Sequence, residues 1–137
     1  MSYFLSFWKQ NETCRLTPKE IDSDLLADQQ RQSLKGLIPL NNWAIAERFS
    51  ERFPEIIHNK YSTSTDLIQS EWESQDGSRS FLIDWYPLHF SIQCCTATRE
   101  DLNQAINIAI EFDCRLFDPQ TGLCYDGLAG NVEPTES

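Results

Sequence analysis

Residues 67–96 read LIQSEWESQDGSRSFLIDWYPLHFSIQCCT, and the period of this stretch decides the fold. Ile68, Ser70, Trp72 and Ser74 alternate with Gln69, Glu71, Glu73 and Gln75. Side chains that alternate along an extended chain point to opposite faces, so the spacing predicts a strand with one face toward the core and one wet, acidic face. Asp76-Gly77 is a turn pair that tolerates positive φ, which places a returning strand over Ser80–Tyr86. Pro87 breaks that strand, and Leu88–Thr96 form a third. Phe90, Ile92 and Cys94 fall on one side of it; His89, Ser91, Gln93 and Cys95 fall on the other, where His89 is expected to meet solvent. These three strands make an antiparallel meander.

Working outward, residues 3–8 are a dense apolar run, the signature of a strand buried on both faces and central in its sheet. Thr17-Pro18-Lys19-Glu20 starts a helix: the Thr hydroxyl accepts a free first-turn amide, Glu20 reaches back to the cap, and Pro18 loses no needed donor. That helix is expected to run to about Gln30, with Ile21 and Leu25 inside and Asp22, Asp24 and Asp28 outside. A loop marked by Gly36 and Pro39 leads to a second helix over about 41–53. Its inner face carries Ile45, Phe49 and Phe53, with Trp43 and Ala46 alongside, and Pro54 ends it. Residues 55–66 read as a turn or a short strand. Thr98 caps a third helix, Glu100 and Asp101 suit its first turn, and Leu102, Ala105, Ile106 and Ala109 form its stripe, extended by Ile110 and Phe112. Residues 114–118 are a short strand, and 119–127 a turn with a last strand.

The order βααβββαβ defines an α+β class. The expected architecture is a two-layer sandwich, a mainly antiparallel sheet of four to five strands with three helices against one face. The C-terminal strand is expected beside the buried first one, as in split β-α-β arrangements. Residues 1–127 form a single domain, and 128–137 a flexible C-terminal tail.

The chain has 137 residues, with 11 Lys+Arg against 21 Asp+Glu for a net charge of −10. A field of that sign repels phosphate backbones and anionic lipid, which argues against nucleic-acid and membrane partners. The N-terminus lacks a basic region followed by a long apolar one, and no stretch approaches the ~18 apolar residues of a membrane span. Five cysteines, an odd and scattered set, suit reduced thiols and a cytoplasmic location.

Catalytic patterns are scarce. Zinc needs paired ligands two to four residues apart, and Cys14, Cys94, Cys95, Cys114 and Cys124 provide none; adjacent Cys94 and Cys95 point apart on a strand. His89 and Cys95 share a strand face but lie ~20 Å apart at ~3.3 Å per residue. A Cys–His or Ser–His pair assembled across strands from His58 or His89 stays open, against a plainer reading of His58 as a polar loop residue. Asp84 is the one acid inside an aromatic run, a position that usually points outward or is salt-bridged. The five glycines form no phosphate-cradling pattern, so no cofactor is expected.

The acidic residues cluster along the chain. Residues 98–137 hold eight acids against Arg99 and Arg115, a net −6 of the chain's −10. Solubility alone accounts for such an excess; the functional reading is a surface for a basic partner, made by Asp113, Asp118 and Asp126 with Glu71 and Glu73. Trp72, Trp85 or Tyr125, if exposed beside these carboxylates, would anchor it.

Several stretches together carry a resemblance. They are Tyr3-Phe4-Leu5-Ser6-Phe7-Trp8-Lys9, the Leu16-Thr17-Pro18-Lys19-Glu20-Ile21 helix start, Ser80-Phe81 with Trp85-Tyr86-Pro87, Asp101-Leu102-Asn103, and 111–122, EFDCRLFDPQTG. With them the chain resembles a group of small acidic bacterial proteins. In size, charge and layout it is similar to immunity proteins of contact-dependent and other polymorphic toxin systems. The vicinal Cys94-Cys95 and the tail GNVEP depart from that pattern, and the resemblance assigns no functional residue. It implies a non-enzymatic toxin inhibitor that blocks a cognate, basic toxin. A small enzyme using Asp84 or a fold-assembled Cys/His site, and a regulatory or scaffold subunit, are the alternatives.

Overall fold

Phe4–Gln10 forms strand β1, and consecutive residues on it are buried: Leu5 and Phe7 in one apolar cluster, Trp8 in another. The computed structural model, which describes residues 4–60, 66–120, 123–125 and 134–135, places this strand in the interior of the sheet. The elements that follow are α1 (Pro18–Ala27), β2 (Leu37–Ile38), α2 (Asn42–Arg52), β3 (Ile57–Lys60), β4 (Leu67–Glu73) and β5 (Ser80–Trp85). Then come β6 (His89–Gln93), α3 (Arg99–Glu111), β7 (Arg115–Asp118), β8 (Leu123–Tyr125) and β9 (Pro134–Thr135). The strand order is β3-β4-β5-β6-β1-β7-β8-β9, with β2 on the end of β1 and every pairing antiparallel.

The α+β class and the three helices agree with the sequence, and β7 does lie beside β1. Two parts of the expected layout are corrected. The sheet is wider than four to five strands, because Ile57–Lys60 join as β3 and strands β8 and β9 extend the other side. Nor do the helices share one face. Phe7 stacks on Phe90 at 4.7 Å in the cluster that holds Ile45 and Phe49 of α2 and Leu102 and Ala105 of α3. Trp8, on the opposite face, packs with Ile21 and Leu25 of α1 and sits 5.7 Å from the Phe117 ring. The sandwich is three-layered at its centre. A strand apolar at successive positions requires cover on both sides, and α1 supplies the second.

Local signals explain the ends of these elements. Glu20 N donates to Thr17 Oγ1 at 3.2 Å, and Thr17 N to Glu20 Oε1 at 2.9 Å, the reciprocal pair expected for this start. The helix stops at Ala27, short of Gln30, since Asp28, Gln29 and Gln30 bring no apolar side chain to bury. In α3 the buried apolar residues are Leu102, Ala105, Ile108 and Ala109; Ile108 replaces Ile106, which is only partly covered. At β4 the register shifts between Asn59 and Lys60, so that Asn59 faces Gln69 and Lys60 faces Leu67. This bulge at Ile68 turns Leu67 inward and leaves Ile68 38% exposed, the reverse of simple alternation. Pro134–Thr135, within the segment read as a flexible tail, pairs with β8; residues 126–133 and 136–137 lie outside those described.

Candidate functional site

Strand register lines up two rows across one face of the sheet. Ile57, Glu71, Leu82, Gln93 and Phe4 are successive partners across β3, β4, β5, β6 and β1. Asn59, Gln69, Asp84, Ser91 and Ser6 make the next row. Glu73, two residues beyond Glu71, shares the face. Near β1, β7 and the start of β6 the surface passes under α1, which buries Trp8 and Phe117, but over β3–β5 no described element covers it. Ile57 is 59% exposed and Phe4 42%, large apolar side chains that folding leaves in water. In these two rows stand Glu71 and Asp84 and no lysine or arginine, and Glu73 beside them pairs with Ser80. Asp84 points outward, and its Oδ1 accepts from Gln69 Nε2 at 3.0 Å.

The four expected partner residues that the structure describes do not lie side by side. Glu71 and Glu73 are on the open face. Asp113 sits in the turn after α3 at φ +61, with its carboxylate 3.9 Å from Lys9 Nζ. Asp118 ends β7, four strands from β4, or about 19 Å at ~4.8 Å per strand. Asp126 lies outside the described residues. The acidity of the C-terminal segment is also spent internally: Asp101 meets Arg79 at 2.7 Å and Glu111 meets Arg48 at 2.8 Å. Charge density along a sequence misses this, because the compensating arginines come from a hairpin and a helix far away in the chain. The expected anchors are corrected too. Trp72 and Trp85 are 5% and 3% exposed, the Tyr125 side chain lies outside those described, and the exposed Phe and Trp side chains among the described residues are Phe4, at 42%, and Trp43, at 38%.

Both histidines differ from expectation. His89 is buried beside β1, since Trp8 is its cross-strand partner on the face that α1 covers. Tyr86 stacks flat on it at 4.5 Å, Nδ1 has no hydrogen-bond partner, and burial pulls its pKa down to about 4. His58 is no loop residue. It stands on β3 with Nε2 2.8 Å from Ser50 Oγ and Nδ1 2.6 Å from Ser70 Oγ, and Ser70 Oγ also accepts Trp85 Nε1–H at 2.8 Å.

This Ser–His–Ser chain has the reach of a catalytic arrangement but lies in the wrong place. Ser50 Oγ donates to the Ala46 carbonyl at 3.3 Å, so Nε2 of His58 donates toward Ser50 and the lone pair of the neutral ring sits on Nδ1, facing Ser70. A general base needs such a lone pair facing its nucleophile, but Ser70 is fully buried, where no substrate meets its hydroxyl. Burial lowers the His58 pKa, against a smaller opposing pull from the Ala46 carbonyl, which keeps this neutral form. Cys14, Cys94, Cys95 and Cys114 are free thiols, and burial pushes Cys114 up to about 12, far from a reactive thiolate. Among the described residues, no three His, Cys, Asp or Glu side chains group to hold a metal ion.

A cleft of about 430 Å³ opens where the start of α2 meets the start of β4 and the turn between β5 and β6. Trp43, Trp85 and Tyr86 line it, together with Asn41, Asn42 and Asp66. Asn42 Nδ2 donates to the Tyr86 carbonyl at 3.0 Å, and Asn42 Oδ1 is buried without a donor. No protein-family description matches the chain, and no curated protein matches it either.

Proposed function

We propose that this chain is a non-enzymatic binding module that docks a basic protein on the open face of its sheet, and that the partner is a cognate toxin whose cationic groove it covers. The observation that carries the reading is the pair of cross-strand rows in which Glu71 and Asp84, with Glu73 beside them, flank exposed Ile57 and Phe4 and half-buried Leu82, with no cation in either row. Apolar side chains that exclude water inside an acidic frame are what a basic surface can cover with gain from both terms. A standard interface occupies about 800 Å² per partner, and these rows supply its centre. The module acts in the cytoplasm, where its free thiols stay reduced. The burial of Ser70, the hydroxyl that faces the free ring nitrogen of His58, gives an enzymatic reading less support.

The test is co-expression in the native host with the candidate toxin, followed by retention of that toxin on the tagged chain at low and high salt. A basic protein, retained at low salt, released as salt rises, and neutralised in the cell by the chain, is the expected result. Retention of no basic protein, or retention indifferent to salt, overturns the electrostatic docking.

A further inference from the structure

We propose that β3 is a docking edge: a strand of the basic partner pairs with it, carrying its cations toward Glu71 and Glu73 and an apolar side chain toward Trp43. This rests on the docking reading above and names the element through which the partner binds. β3 ends the sheet, and no described element covers its outer side. Hydrogen bonds at two hairpins fix the direction of its backbone groups. Ser74 N donates to Arg79 O and Tyr86 N to His89 O, both at 2.9 Å, and bonded pairs alternate along antiparallel strands from those closures. Ser70 and Trp72 therefore turn their amides to β5, and Gln69 and Glu71 turn theirs to β3. Asn59 and Ile57 answer these two, which leaves the N–H and C=O of His58 on the free edge.

The surroundings of this edge suit a strand. The His58 ring is held at both nitrogens, by Ser70 on β4 and Ser50 on α2, so its backbone is kept extended before a partner arrives. That lowers the ordering cost of binding. A strand paired there sets alternate side chains beside Ile57 and Asn59 on the open face, and the one between them on the face of His58. Exposed apolar groups stand on both sides: Ile57 on the first, and on the second Trp43, whose ring lies 6.4 Å from that of His58. Charge sets where the cations of the docked strand belong. Glu71 is the partner of Ile57 and Glu73 lies beyond it, whereas Lys60 and the bulge stand at the other end of β3. Cations therefore fit beside Ile57 and outward from it. A lysine and a bulge are common guards of an edge strand; here they protect one end and leave the acidic end open.

The test titrates the full chain, isotopically labelled, with the blocked peptide acetyl-Thr-Val-Lys-Val-Lys-amide, whose antiparallel register sets a valine on His58 and its lysines toward Glu71 and Glu73. Saturable shifts centred on the β3 amides and the Trp43 indole are expected, with slowed hydrogen exchange at the His58 amide. Methylating both valine nitrogens keeps every side chain and removes the donors that face β3, and should weaken binding at least tenfold. Ile57→Lys should weaken it as much, and Trp43→Ala at least threefold. Equal binding of the methylated peptide, unsaturable shifts with both peptides, or shifts that spare β3 overturn the pairing. With the basic protein retained on the tagged chain, the His58 amide should exchange at least tenfold more slowly than in the chain alone. Retention with that amide still exchanging freely overturns the strand pairing and leaves the docking on the open face standing; retention of no basic protein overturns both.

Discussion

Arg79 Nη1 donates to Asp101 Oδ1 at 2.7 Å, while the other oxygen of the same carboxylate accepts the Thr98 amide at 3.0 Å. One buried side chain thus closes the N-terminus of α3 and ties that helix to the β4–β5 hairpin. Asp101→Ala removes both bonds. Arg79, its side chain 42% exposed, returns to water, so the loss falls at about 2–3 kcal/mol, below the range for a fully buried pair. Thr98→Ala removes the cap alone and should cost about 1 kcal/mol. Urea unfolding of the two variants checks the order; an Asp101→Ala protein as stable as the parent contradicts it.

His89 makes stability fall with acid in a defined window. Its folded pKa of about 4 lies below the unfolded value of 6.5, so between these values the unfolded chain binds more protons. The stabilisation is complete above pH 6.5, is lost as pH falls toward 4, and amounts at most to about 3 kcal/mol. His58, also lowered by burial, adds in the same direction. Asp76, held at about 2 by Ser78 and Ser74, keeps its charge throughout this window. Urea midpoints measured from pH 7 to 4 should decline, and His89→Leu should flatten that slope. An equal slope in the variant assigns the acid sensitivity elsewhere.

Charge reversal separates the open face from the acids around it. Glu71→Lys with Glu73→Lys should weaken association with the toxin at least tenfold at low salt and flatten its salt dependence. Asp113→Lys, at a turn whose carboxylate already lies 3.9 Å from Lys9, should change it less than threefold. Binding kinetics at two ionic strengths check both. Equal losses would mean that the partner covers the α3–β7 turn as well.

Much of the fold was legible because it rests on local chemistry. The Thr17–Glu20 cap, the Asp76-Gly77 hairpin and the alternation along β5 and β6 are decided within a few residues, and they stand where expected. What failed depends on distant partners. Nothing near Phe7 and Trp8 in sequence says that α1 covers one and α2 with α3 the other. His89 reads as a wet strand residue until α1 is laid across it. The candidate site was half legible for the same reason: Glu71 and Glu73 lie on a face set by local period, whereas Asp113, Asp118 and the arginine partners of Asp101 and Glu111 are placed by tertiary contacts.

Two glycines with the same backbone sign should respond very differently to a methyl group. Gly36 has φ +90 and Gly77 φ +75, a region that side chains other than glycine enter at a cost of about 1 kcal/mol. At Gly77 the added carbon meets no atom closer than Glu73 Oε1 at 3.6 Å, an ordinary contact, so Gly77→Ala should lose about 1 kcal/mol from the backbone alone. At Gly36 it would stand 2.7 Å from Cys14 Cα, which is main chain and cannot rotate aside. Relief requires moving the segment that carries Cys14 and Leu16, both packed on the cluster beneath α1. Gly36→Ala should therefore lose about 2–4 kcal/mol, in the range of overpacking added to strain. Thermal and urea unfolding of both variants measure the difference, and equal losses at the two positions would show that the Cys14 segment yields freely.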